Sequence, residues 1–140
     1  MIFARMVRIA AAIALLAGCS MQAKYKDVSL DPDYRSLVGR DIYAQSDLLL
    51  HKVSLDRNNP THVGLCSVTP RPGFDGSEVI SRHTLAAGTT FRIVSVRVCK
   101  NCGSLSQPEL LVTSSETTDC RQAPVKISHA FLGSSVLLIQ

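Results

Sequence analysis

Thr89-Thr90-Phe91-Arg92-Ile93-Val94-Ser95-Val96-Arg97-Val98-Cys99 is the stretch that decides the fold. It is dense in β-branched side chains and alternates polar with apolar residues, the period of a strand rather than of a helix. Phe91 and Ile93 fall on one face, whereas Val94, Val96 and Val98 fall on the other. Such a slip of phase implies a bulge or burial on both faces.

Working outward, the same short apolar runs recur, and beyond Leu37 no long stretch has the three- and four-residue spacing of an amphipathic helix. Strands are expected from Arg40 to Gln45, Leu48 to Ser54, His62 to Thr69, Glu78 to Arg82, Thr89 to Cys99, Glu109 to Ser114, Val125 to Leu132 and Val136 to Ile139. Their separators, Asp56 to Pro60, Pro70 to Gly76 and Asn101 to Pro108, are rich in turn formers. Pro70 and Pro72 cannot donate to a ladder and are expected outside central strands. Ahead of the long strand, Leu85-Ala86-Ala87-Gly88-Thr89 resembles the turn into strand of small SH3-like bacterial barrels. The expected class is all-β, and this resemblance implies a small barrel in preference to a compact sandwich.

The amino terminus has a different character. Arg5 and Arg8 precede the apolar run Ile9 to Leu16, which is too short to span a bilayer and matches a signal-peptide core. Leu16-Ala17-Gly18-Cys19 then resembles the lipobox of bacterial lipoproteins. The resemblance implies a signal peptide over residues 1–18, cleavage before Cys19, and acylation of its thiol by diacylglycerol. Two or three acyl chains would hold the protein on a membrane. Ser20 and Met21 lack the aspartate that commonly retains such lipoproteins on the inner membrane, which implies the outer membrane, periplasmic face. Residues 19–36 are polar without periodicity and are expected as the lipidated cysteine and a tether, with the β domain over 37–140.

Setting aside Arg5 and Arg8 leaves 13 basic residues against 11 acidic, and no basic run is interleaved with aromatics. Nucleic acid is therefore not an expected partner. Arg92 and Arg97 alternate with apolar residues on the long strand, and Arg40, Lys52 and Lys126 are placed similarly. They are expected on a solvated sheet face; the functional alternative is a cationic cluster meeting peptidoglycan peptides, lipid headgroups or an acidic partner.

With Cys19 assigned to lipid, Cys66, Cys99, Cys102 and Cys120 remain, an even number in an exported domain, and two disulfides are expected. Sequence alone allows three pairings. Cys99 with Cys102 and Cys66 with Cys120 is preferred because the first pair closes a turn between strands. Cys99-Lys100-Asn101-Cys102 also admits a redox site, although thioredoxin-like chemistry asks for a helix after the first thiol, and the four thiols admit structural zinc.

His51, His62, His83 and His129 lack the close spacing of a metal pair. His129 is in phase with Val125, Ile127 and Phe131, which suits a buried, hydrogen-bonded histidine. Asp75 and Glu78 flank Gly76-Ser77 in a loop, where turn formation accounts for Asp75. No phosphate loop, GxSxG elbow or HExxH motif is present. No catalytic set, metal or cofactor is expected. The leading expectation is a non-enzymatic envelope module that docks a protein or peptidoglycan, with a thiol-disulfide accessory or a zinc module as alternatives.

Overall fold

The structure, a computed structural model, describes residues 22–134 and 137–139. Among the described residues nine strands join in one sheet: β1 (Tyr25–Asp27), β2 (Asp41–Ala44), β3 (Leu48–Val53), β4 (Leu65–Pro70), β5 (Val79–Leu85), β6 (Thr90–Cys99), β7 (Glu109–Thr113), β8 (Val125–Ser128) and β9 (Leu137–Ile139). The order is β5-β3-β4-β8-β7-β6-β2-β9, with β1 on β6. Pairing is antiparallel except β4 with β8, where Cys66, Ser67 and Val68 lie beside Val125, Lys126 and Ile127 in parallel.

The all-β class is confirmed, but the preferred barrel is corrected. Among the described residues β5 and β9 do not pair, so the sheet stays open and folds over itself as a sandwich. A barrel needs matched edges. Here β9 has three residues and is engaged by β2, while edge strand β5 is blunted by Arg82, held by Asp75 at 2.7 Å.

β2 into β3 and β5 into β6 turn the same corner side by side. Gly88 N donates to Ala44 O at 2.7 Å, Ala44 N to Thr89 O at 2.9 Å and Ala87 N to Asp47 Oδ1 at 2.9 Å. The corner brings Leu48, Leu50, Val68 and Leu85 into one core with Ile42, Phe91, Ile93, Val96, Leu110 and Ile127.

The phase slip in β6 is a bulge. Its register against β7 shifts between Ile93 and Ser95, which expels Val94 to 47% exposure and returns Val96 to the face of Ile93. On the other edge of β6, Val28 N donates to Val96 O at 2.9 Å and Gly39 N to Ile93 O at 2.8 Å. The segment between Val28 and Gly39 is thus stapled across the bulge.

That staple corrects the expected tether. From residue 22 onward the chain is docked: Tyr25–Asp27 pairs with Arg97, Val98 and Cys99, and Val28 is buried. Residues 19–21 lie outside the described residues. Other boundaries differ as well. Pro70 is the last residue of β4, a terminal place that its missing N–H tolerates. β8 stops at Ser128, so His129 opens a 3-10 turn, half-buried, with its ring edge-on to Tyr34 at 5.6 Å.

The histidine in the core is His51, fully buried on β3. Phe74 N donates to its Nε2 at 3.3 Å, and Ser67 O lies 3.3 Å from Nδ1. A backbone N–H only donates, so Nε2 is bare and Nδ1 carries the proton, as in neutral imidazole. Phe74 stacks on the ring at 4.1 Å. Gly73, at φ +77°, passes so close that a Cβ there would lie 2.7 Å from Nε2.

Candidate functional site

The cysteines form the two preferred bridges, Cys66 with Cys120 and Cys99 with Cys102. The thiols are thus used in pairs, and no group of three or more metal-ligating side chains occurs among the described residues. The zinc alternative loses its ligand set. Cys99 ends a strand and is 5% exposed, and Cys102 leads into a 3-10 turn of three residues, Gly103–Leu105, instead of the helix a thioredoxin-like site requires.

The Cys99–Cys102 bridge has a visible structural role. Asn101, in the loop that the bridge closes, accepts from Lys24 N at 2.7 Å and donates through Nδ2 to Gln22 O at 2.9 Å. Lys100 N adds a bond to Lys24 O at 2.7 Å. Tyr25 lies over the Arg97 guanidinium at 3.8 Å. The four-residue loop therefore clamps the entering chain.

The sheet cations do not form an open binding cluster. Arg92 forks onto Asp41 at 2.8 and 2.9 Å; Arg97 and Lys126 share Glu109 at 3.0 and 2.7 Å; Lys52 pairs with Asp119. Arg40 also has a partner. These charges are paired across strands, with the Arg92 side chain still 61% exposed. Asp75 is likewise engaged, by Arg82.

What the fold does build is an open groove of about 630 Å³ beside the Cys66–Cys120 bridge, lined by Lys52, Thr61, His62, Asp119, Arg121 and Gln122 among others. Its floor is set by long-range ties: Cys66 N donates to Pro124 O at 2.9 Å, next to the bridge and the start of β8. The 3-10 segment Ser115–Cys120 delivers Asp119, and the chain then reverses, with Ala123 N donating to Cys120 O at 3.0 Å.

In that reversal Arg121 adopts φ 55°, ψ −119°. This is the first central position of a II′ turn, which favours glycine because a Cβ crowds the backbone there. Arg121 is the one described non-glycine residue with positive φ. Its side chain is exposed and, among the described residues, makes no ion pair. Nothing in the local sequence signals this conformation. It arises from the disulfide and the parallel pair on either side of the turn.

The hydrogen bond from Lys52 holds the Asp119 carboxyl below its ordinary value of 3.8, and the Lys52 and His83 charges act in the same direction. A carboxyl lowered by folding contributes stability above its unfolded value, and that contribution disappears as pH falls through the folded value. Asp119 is 46% exposed, so solvent screens the pair. Lys52→Met is expected to cost roughly 0.2–1 kcal/mol at pH 7, and the difference between wild type and variant in urea unfolding should shrink as pH falls below 3.8 and the carboxyl takes up its proton.

No family model, curated protein or solved structure matches this chain.

Proposed function

We propose that the chain is a bacterial envelope lipoprotein, cleaved before Cys19 and held by lipid on the periplasmic face of the outer membrane, whose β domain binds a protein or peptidoglycan without catalysing a reaction. The observation that carries this reading is the odd cysteine. Of five cysteines, four are consumed in two bridges, which suits an oxidising compartment. The remaining thiol is Cys19, at the acceptor place of the sequence that resembles a lipobox.

The docked stem adds a mechanical consequence. Residue 22 is fixed by Asn101, and three residue steps separate it from Cys19. At about 3.5 Å per step the domain rides within roughly 11 Å of its lipidated residue. The stem thus acts as a short mount, which favours contact with something at the membrane surface over a search across the periplasm.

Cys19→Ser tests the reading directly. The variant is expected to lose incorporation of labelled palmitate, accumulate at precursor size and leave the outer-membrane fraction in its mature form. Unchanged processing and unchanged membrane recovery would disprove the proposal.

A further inference from the structure

We infer that the groove beside the Cys66–Cys120 bridge binds a short peptide through its carboxylate, with the Arg121 guanidinium as the recognising group. The inference deepens the binding-module reading and rests on it, but not on the lipid anchor.

The starting point is the backbone of Arg121. A residue other than glycine at φ 55°, ψ −119° is strained, and such strain persists only where surrounding structure fixes the chain and tends to cluster at functional places. Here the fixing is explicit. Cys120 is bonded to Cys66, Ala123 N reaches Cys120 O, and Pro124 O accepts from Cys66 N. Glycine would relieve the turn. Nor does packing account for arginine, since its side chain is exposed and unpaired among the described residues.

The surroundings select the ligand. A guanidinium fork matches the two oxygens of a carboxylate. In the same groove Asp119, 46% exposed, offers acceptor oxygens, and Lys52 offsets its charge so that an approaching anion is not repelled. A peptide supplies both complements, a terminal carboxylate for Arg121 and N–H donors for Asp119. Inorganic phosphate matches the first but has no N–H donors, only the one or two O–H groups it keeps at neutral pH. A volume of about 630 Å³ accommodates a di- or tripeptide.

The test uses the purified full chain, oxidised, in detergent micelles, titrated calorimetrically with N-acetyl-D-alanyl-D-alanine, its L,L isomer, the C-terminal amide of each, and inorganic phosphate. The free acids are expected to bind at least about tenfold tighter than the amides, the loss of one charge-assisted fork. Preference for the D,D acid would assign the source as cell-wall peptide, and preference for the L,L acid as a protein carboxyl terminus. Arg121→Gly is expected to raise Tm by about 4 °C as the turn relaxes and to weaken acid binding at least about tenfold. Arg121→Ala keeps the strained backbone, so it should retain the wild-type Tm and lose binding equally. The inference is overturned if acids and amides bind alike, if neither binds, if phosphate binds more tightly than the acids, or if Arg121→Gly binds as wild type or melts lower. Those failures leave the Cys19→Ser result untouched, so the two readings fail separately.

Discussion

Replacing Cys66 and Cys120 together by alanine is expected to lower stability by about 4 kcal/mol, about twice the roughly 2 kcal/mol expected for Cys99 and Cys102. The difference comes from loop length, since a bridge acts largely by shrinking the unfolded ensemble. The sequence separations are 54 for Cys66–Cys120 and 3 for Cys99–Cys102. The long bridge also spans the hardest closure in the fold. Its ends lie on β4 and just before β8, the parallel pair, whose crossover must contain β5, β6 and β7. Both sulfurs are in the core, so alanine is preferred to serine, which would bury a hydroxyl. Thermal unfolding should show a drop on the order of 20 °C for the Cys66/Cys120 variant. Equal losses for the two variants would mean that loop entropy is not what the long bridge contributes.

β2 through β9 each overlap an expected segment, although β5 is mostly exposed and runs on to Leu85, beyond the expected Arg82. In β2, β7 and β8 an apolar face against the core leaves a period-two trace. β1 leaves none: Tyr25, Lys26 and Asp27 are all exposed and are held through the backbone by β6. A main-chain ladder has no side-chain signature, so a docked strand has the sequence character of a tether. Closure is illegible for a related reason. Whether β5 meets β9 depends on the curl of the whole sheet, to which Leu85 to Thr89 contributes a single corner.

The candidate site divides along the same line. The disulfide pairing is only partly accessible: sequence alone allows three pairings, and the short separation of Cys99 and Cys102 favours the observed one without fixing it. The cations on β3, β6 and β8 have the pattern of an open face, because Asp41, Glu109 and Asp119 reach them only after distant segments pair. Arg121 is the extreme case. Its significance lies in a backbone angle imposed by contacts more than fifty residues away in sequence, at Cys66.

β6 offers the sharpest contrast within one strand. Phe91→Ala is expected to cost about 3–5 kcal/mol, since the ring is wholly buried and its removal leaves a cavity that the surrounding side chains only partly fill. Val94→Ala, three residues along the same strand, should change stability by no more than about 0.5 kcal/mol, because the bulge has turned that side chain to solvent. Val96→Ala should cost about 2 kcal/mol, a buried methyl pair lost from the face shared with Ile93. A regular strand makes a different forecast. Val94 and Val96 would then share one face opposite Phe91 and Ile93, and the two alanine variants would behave alike. Urea unfolding of the three variants therefore locates the bulge energetically, and a large loss at Val94 with a small one at Val96 would rule it out.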